Sequence, residues 1–168
     1  MSAGLLHSTI RDSQAQVHCC KSEYVEARNI QTQLLHYYSV DQNPHNHAIA
    51  LVNAAMIDVE IGAPEHDVQQ DITRARLLFQ SVNHPIGFTY CDLVRAALYV
   101  QQDNLFAAMG LFQKCLQSAW GTNTETVTYC LEKLASVQQW SEVHQMSLQI
   151  EAKLAMHDGV RANREPSC

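Results

Sequence analysis

Nine histidines among 168 residues are the side chains of this sequence best suited to binding a metal ion. His45 and His47 are separated by one residue, and His18 stands directly before the vicinal pair Cys19 and Cys20. A zinc site needs four converging ligands, or three and a water molecule, and no thiol or carboxylate is spaced to complete such a set with the two histidines. We therefore predict solvent-exposed turn histidines, vicinal cysteines that fill the core, and no metal or other cofactor.

Two cysteines and two aspartates could carry catalysis. Cys91 or Cys130 could act as a nucleophile beside a histidine, but neither follows a glycine-flanked elbow, and both lie on apolar helical stripes. Asp67 and Asp71 are four residues apart on one helical face, where like charges are typical of a solvated surface. The sequence predicts no catalytic residue and a protein that is not an enzyme. A helical enzyme or metal sensor using His and Cys side chains is the alternative.

Charge and composition weigh against two classes of partner. Lys and Arg total 11 and Asp and Glu total 17, which gives a net charge of −6. No run of basic residues could neutralise a line of phosphates, so we expect no nucleic-acid binding. The apolar runs are too short to cross a bilayer, and no secretory signal opens the chain. We expect a cytoplasmic protein with reduced cysteines and no membrane contact.

The spacing of apolar residues predicts an all-α fold. Val68, Ile72, Ala75 and Phe79 recur at steps of three and four residues, which places one apolar stripe on a helix. No segment shows the period-two alternation of a half-buried strand. We expect about eight helices in one domain over 1–157, with a flexible tail over 158–168. The helices are expected to form antiparallel hairpins at about 4–40, 44–83, 85–121 and 122–157.

Two helix starts carry residues that commonly cap helices. Asp103 lies in the short polar turn 102–104, and its side chain could accept a hydrogen bond from the first turn of the next helix. Thr122 is followed three residues later by Glu125, which is the spacing of a capping box. We therefore expect helices to begin directly after Asp103 and Thr122.

Two short sequences occur twice. Ala75–Val82 and Ala108–Leu116 share a small residue, two variable positions and then Leu-Phe-Gln, and the alanines are 33 positions apart, the difference between 108 and 75. Thr89–Cys91 and Thr128–Cys130 repeat Thr-Tyr-Cys with an offset of 39, the difference between 128 and 89. Periods of this length indicate an array of helical hairpins.

The third hairpin, at about 85–121, resembles the tetratricopeptide repeat, a family in which small residues lie where two helices cross and bulky residues lie between them. The small, aromatic, small, aromatic, small series of that family is matched by Ala96, Tyr99, Ala108, Phe112 and Cys115. The resemblance implies a right-handed solenoid whose concave face binds a protein or peptide.

The sequence departs from that family in three respects. About eight extra residues lie around 64–71, and the first and last hairpins match poorly. Asp92 and Arg95 stand where the family has apolar residues. We expect a longer helix or a bent loop at the first departure and divergent end caps at the second.

A narrower resemblance is to helical-repeat regions of fungal proteins that carry NACHT or NB-ARC nucleotide-switch modules. It would imply the C-terminal sensor arm of a larger switch protein, although the chain has no phosphate-binding loop ending in Gly-Lys-Ser or Gly-Lys-Thr. The residues that carry it are Ile57–Ala63, Tyr90–Asp92, Phe112–Leu116, Ser118–Gly121 and Thr128–Glu132.

The first helices of the second and third hairpins should line the concave face of such a solenoid. An apolar groove there would suit an amphipathic helix or an extended apolar peptide of a partner. The alternative is that the same residues only pack against neighbouring hairpins. Basic and amide side chains of the kind that grip a C-terminal carboxylate are not evident, and the oligomeric state is open. The candidate partner-binding residues are Val52, Met56, Val59, Leu93, Ala97 and Val100.

Overall fold

A computed structural model describes residues 3–139 and 142 of the chain. These residues form seven helices and no strand, which confirms the all-α prediction for this part of the chain. The count is seven rather than about eight. The expected eighth helix, around 141–156, and the tail over 158–168 lie outside the described residues. The helices are α1 (Ala3–Cys20), α2 (Tyr24–Tyr37), α3 (Pro44–Glu60), α4 (Glu65–Ser81), α5 (Ile86–Gln101), α6 (Leu105–Ala119) and α7 (124–139).

Helices that follow one another along the chain pack side by side. The closest pairs are α1 with α2, α3 with α4 and α5 with α6, and the turns between them are short enough to force an antiparallel arrangement. α2 also packs on α3, and α4 on α5. α3 also lies against α5, although α4 separates them along the chain. Helices at equivalent places in two successive pairs are therefore neighbours.

The Leu-Phe-Gln repeat occupies the same structural position in α4 and α6. Ala75 and Phe79 on α4, and Ala108 and Phe112 on α6, are all completely buried. The six residues that begin at Ala75 and the six that begin at Ala108 have the same order of buried, half-buried and exposed positions. The repeat is therefore a packing signature, since its invariant small and aromatic side chains are those that face the core.

Two apolar clusters meet at α5. One joins α3, α4 and α5 around Leu51, Ile72, Phe79 and Val94. The other joins α5, α6 and α7 around Phe112 and the buried thiols of Cys115 and Cys130. Since α5 contributes to both, it is the helix through which the N-terminal and C-terminal parts of the core are connected.

Four helices end in the same backbone motif. A residue with positive φ follows the last turn, and the N–H of the next residue donates to the carbonyl five positions earlier, as in a Schellman motif. Only one of these four residues is glycine, so the chain accepts the left-handed conformation at three other side chains. The four positions are Ser22 after α1, Gly62 after α3, Asn83 after α4 and Asp103 after α5.

Both expected helix caps are displaced by one residue. Asp103 takes the left-handed conformation, with a φ of 57°, and the side chain of Asn104 instead accepts from the N–H of Ala107. Thr122 donates its hydroxyl to the carbonyl of Ala119, and the cap of α7 is Asn123, whose Oδ1 accepts from the N–H of Thr126 at 3.0 Å. Asp103 and Thr122 take part in ending the preceding helix, so the residue after each of them caps the next one.

Buried carboxylates join helices of different pairs. Asp92 on α5 is 5% exposed and accepts from Arg76 Nη1 on α4 and from Lys114 Nζ on α6, each at 2.8 Å. Asp58 on α3 accepts from Arg28 Nε on α2 at 2.7 Å. Asp92 is therefore buried, and two cations on the neighbouring helices pair with its carboxylate.

None of the helices in the described part of the chain is long and apolar enough to cross a membrane.

Candidate partner-binding groove

Helices α3, α5 and α7 line two cavities that follow one another along the helix axes. The wide cavity has a volume of about 340 Å³, and its apolar floor consists of Ile49, Val52, Met56 and Leu93. The narrow cavity, of about 250 Å³, lies nearer the C-terminal ends of the same helices, where α6 adds Leu105 and Phe112. We take these two neighbouring cavities together as the candidate groove, which α1 borders at the wide end through Asp12 and Gln16.

The structure brings the six candidate residues to this groove. Val52, Met56 and Leu93 line the wide cavity, and Val59, Ala97 and Val100 line the narrow one. Four of the six also belong to the core, since only Met56 and Val100 are more than marginally exposed. The packing alternative thus describes part of what these side chains do, and their contact with a partner stays a prediction.

Two tyrosines of the groove were missed as candidate residues. Tyr90 on α5 and Tyr129 on α7 are the central residues of the Thr-Tyr-Cys repeat, and both line the wide cavity. Asn123 Nδ2 donates to the hydroxyl oxygen of Tyr90 at 3.1 Å. Burial, followed by the charges of Glu60 and Cys130, raises the pKa of Tyr129, so its phenol stays protonated at neutral pH. The repeat itself was the available signal, because its tyrosines recur on equivalent helices.

Amide and carboxylate groups surround the apolar floor of the wide cavity. Asp12 Oδ1 accepts from Gln31 Nε2 at 3.0 Å and from Asn53 Nδ2 at 3.3 Å, which fixes the carboxylate between α1, α2 and α3. Asn53, Asn123 and Gln16 all line this cavity. These amides lie far apart in the sequence and meet only in the fold, beside acidic and not basic side chains.

The charges of the two cavities differ. The charged side chains that line the wide cavity, within the described residues, are Asp12 and Glu125, and both are acidic. Glu60 and Lys133 line the narrow cavity and oppose each other in charge. Lys133 Nζ lies 5.4 Å from the centre of the Tyr129 ring, within the range of a cation–π contact.

The His45 and His47 side chains differ from the expected exposed turn histidines. Both lie in the first turn of α3, where His47 is 7% exposed and donates from Nδ1 to the carbonyl of Tyr38. The His45 ring packs edge-on against His84, with centroids 4.5 Å apart, and against Phe79. Within residues 3–139 and 142 no group of three or more His, Cys, Asp or Glu side chains could hold a metal ion.

The candidate nucleophiles are buried thiols. Cys91 and Cys130 are completely buried, and Cys91 Sγ lies 3.9 Å from the carbonyl of Ile72. Burial raises the pKa of Cys91 to about 12 and also raises the pKa of Cys130. Because the reactive species is the thiolate, these environments favour packing over nucleophilic chemistry.

The vicinal cysteines are not core residues. Cys19 is half-buried and Cys20 is exposed at the end of α1, contrary to the expected packing role. Burial, followed by Cys20 and Glu60, raises the pKa of Cys19. His18 Nδ1 lies 2.7 Å from Glu23 Oε2 and so is engaged by a carboxylate from the next helix start.

Asp67 and Asp71 occupy different surroundings on α4. Asp67 is exposed, as expected for a solvated face, whereas Asp71 is half-buried and lies 3.7 Å from Arg74 Nη1. Burial raises the pKa of Asp71, and the charges of Arg28 and Arg74 act in the opposite direction. The expected solvated pair is therefore wrong for Asp71, which is half-buried in the folded chain.

No protein-family model, curated protein or solved structure matches this chain.

Proposed function

We propose that this protein is a non-catalytic interaction module that binds a peptide or helix of a partner protein in the groove formed by α3, α5 and α7. In this proposal the helix pairs stack as a right-handed, tetratricopeptide-like solenoid, and the groove is its concave face. The observation that carries it is the alignment of two cavities along three equivalent helices, with a floor of Val52, Met56 and Leu93. A pocket with an apolar floor and a few polar groups at its edge is the usual form of a binding site.

The side chains around the groove support binding rather than chemistry. Met56 and Tyr90 are partly exposed, and both can adapt to an apolar side chain of a partner. Cys130, which follows the groove residue Tyr129 on α7, is completely buried, and burial raises the pKa of its thiol.

The proposal also places the protein in the cytoplasm. The cysteines of the described part are free thiols, including the adjacent Cys19 and Cys20. Free thiols in such number are typical of a reducing compartment, and this is the support for that location.

The test is to isolate a partner from source-cell extract and then measure its affinity as a purified protein. Met56→Glu places a charge on the groove floor and should weaken binding about tenfold or more, since a desolvated charge opposes an apolar contact. Gln113→Glu is the matched control. Gln113 is exposed on α6, so this substitution adds the same negative charge at a position away from the groove.

Circular dichroism and thermal unfolding of both variants establish that each is folded before binding is compared. The expected result is loss of affinity for Met56→Glu and affinity within about twofold of the original protein for Gln113→Glu. Equal affinities for the two folded variants would show that the partner binds elsewhere, and would contradict the proposal.

A further inference from the structure

The wide cavity combines an apolar floor with a border of uncompensated negative charge. Asp12 and Glu125 line it from opposite ends of the described chain, and no cation lines it within the described residues. Asp12 uses Oδ1 for Gln31 and Asn53, and its Oδ2 has no partner in the described part of the chain. Glu125 is exposed and pairs with no described cation. A positive group entering here meets two carboxylates, and Lys133, which lies over the ring of Tyr129, lines the narrow cavity instead.

Aromatic faces strengthen the preference for a cation. The rings of Tyr90 and Tyr129 line the same cavity, and the electron-rich face of a phenol ring attracts ammonium and guanidinium groups. Tyr129 already lies under one such group, because Lys133 Nζ sits 5.4 Å from its ring centre on the side of the narrow cavity. Electrostatic complementarity of this kind sets which partner is accepted, and it speeds association with it.

Polar groups at the border could satisfy the backbone of an extended chain. Asn53 Nδ2 is occupied by Asp12, which leaves its carbonyl oxygen as an acceptor. The hydroxyl of Tyr90 accepts from Asn123 and retains a proton to donate. A helix satisfies its own backbone groups, whereas an extended segment presents N–H and C=O groups that need such partners. The border of the wide cavity therefore fits an extended segment better than a helix.

The groove has the length of a short peptide. Along α3 it runs from Ile49 in the wide cavity to Glu60 in the narrow one. Eleven residues of helix rise about 16 Å, which is the length of about five residues of extended chain. The wide end carries net negative charge, while Glu60 and Lys133 balance at the narrow end, so the two ends of an occupant would be distinguished.

We propose that the groove binds an extended segment of a partner protein in which an apolar side chain contacts Met56 and Leu93 and a neighbouring Lys or Arg lies between Asp12 and Glu125. This rests on the proposed function and adds the chemistry and direction of the ligand. The positive residue lies at the wide end of the groove, and the remainder of the segment continues toward the narrow cavity.

The test uses a phage-displayed library of random peptides, about 12 residues long, selected on the immobilised full-length protein. Binders that are also retained by the folded Met56→Glu variant are discarded. Groove-dependent peptides are then synthesised with a fluorescent label, and their affinities are measured by anisotropy at low and high salt. We expect enrichment of Lys or Arg next to an apolar residue, and about tenfold weaker binding when that cation is replaced by Glu.

Charge reversal on the protein supplies the matched variants. Glu125→Lys should weaken the selected cationic peptides about tenfold and reduce their salt dependence. Glu132→Lys, at an exposed position on α7 outside both cavities, makes the same change in net charge and should leave affinity within about twofold. Nuclear Overhauser contacts of a bound peptide report whether it is extended.

The outcomes separate the two proposals. Groove-dependent peptides that are neutral or acidic, or that bind as helices, would overturn the inference about the ligand and leave the proposed function standing. Failure of every peptide to distinguish the original protein from Met56→Glu would count against both. Self-association abolished by Met56→Glu would assign the groove to a second copy of the chain and would overturn the inference.

Discussion

Gly87, in the first turn of α5, packs directly against the ring of Phe79 on α4. A Cβ atom added there would overlap the ring of Phe79 on α4, well inside van der Waals contact. Gly87→Ala should destabilise the protein by about 2 kcal/mol, because the buried Phe79 ring has no free space into which to move. Chemical denaturation measures the change in the free energy of unfolding.

Gly110 provides the control for that substitution. It lies on the exposed side of α6, and an added Cβ meets no atom of the described residues within 4 Å. Gly110→Ala should stabilise the protein by about 0.5 to 1 kcal/mol through helix propensity alone. Equal effects at the two glycines would mean that α4 and α5 do not approach as closely as described.

Ala108 tests the repeat at the level of one side chain. It is completely buried between α5 and α6, so Ala108→Trp should overpack this contact and cost about 3 kcal/mol. Gln113→Trp, on the exposed face of the same helix, should leave the melting temperature nearly unchanged. An unchanged melting temperature in Ala108→Trp would contradict the assignment of the repeat as a packing signature.

The sequence identifies some of these residues and not others. Ala108 and Phe112 are visible in the sequence because they recur at Ala75 and Phe79, and the period marks them as equivalent. Gly87 has no counterpart in the repeat, and its close approach to Phe79 depends on how α4 and α5 cross. A glycine in a helix is read from sequence as a weak helix former, and only the fold shows what it accommodates.

At the scale of the helices, Asp92 connects α4, α5 and α6. Asp92→Ala should cost about 2 kcal/mol, through two lost charge-assisted hydrogen bonds. The side chains of Arg76 and Lys114 are 35% and 63% exposed, so solvent weakens the Coulomb attraction and stops the cost from being larger. Denaturant unfolding of the variant and the original protein measures this loss of unfolding free energy.

Asp41→Ala is the control for Asp92, because Asp41 is exposed in the turn before α3. Its free energy of unfolding should stay within about 0.5 kcal/mol of the original protein. A cost at Asp92 no greater than at Asp41 would show that the three helices hold together without this carboxylate.

The spacing of apolar residues predicts where the helices are, but it does not predict which turn residue ends one helix and which caps the next. Asp103 and Thr122 are both residue types that commonly cap helices. Each lies one residue before the observed cap, because it takes part in ending the preceding helix. In the part of the chain that the structure describes, three of the five residues with positive φ are not glycine, so the left-handed positions carry little sequence signal. Asp92 was recognised as an anomaly from sequence, while its partners on α4 and α6 required the fold.

At the scale of the whole molecule, stability should depend on pH through His84, which lies between α4 and α5. Burial, followed by the charge of His45, lowers the pKa of His84 from its ordinary value of 6.5. The folded protein therefore resists protonation more than the unfolded chain does. Stability should be complete above about pH 6.5 and should be lost as the pH falls from there through the folded-state pKa.

The prediction is a difference between variants. Between about pH 7.5 and about pH 5.5, the His84→Gln variant should lose less stability than the original protein. Glutamine does not take up a proton in this pH range, so its free energy of unfolding lacks the contribution of the His84 ring. His66→Gln, at an exposed position on α4, should follow the original protein. Unfolding curves at both pH values measure this, and identical losses in all three proteins would contradict a role for His84.

Some residues of the groove can be predicted from the sequence, and others cannot. Apolar stripes on α3 and α5 led to Val52, Met56 and Leu93, and the structure places these residues along one surface. Asp12 and Gln16 could not be found this way, because they reach the groove from α1 through long-range packing. The acidic border, which determines the inferred ligand, is therefore a property of the folded chain rather than of any local pattern.

The most direct test of partner binding in the groove is a methyl NMR titration with the isolated partner. We expect the largest shift changes at Met56, Val52 and Leu93, followed by Val59 and Val100, because their methyl groups line the two cavities. The methyl groups of Leu77 on α4 serve as the reference, since this side chain is 62% exposed and lies outside both cavities. Shift changes concentrated around Leu77, with the groove methyls unchanged, would contradict the account.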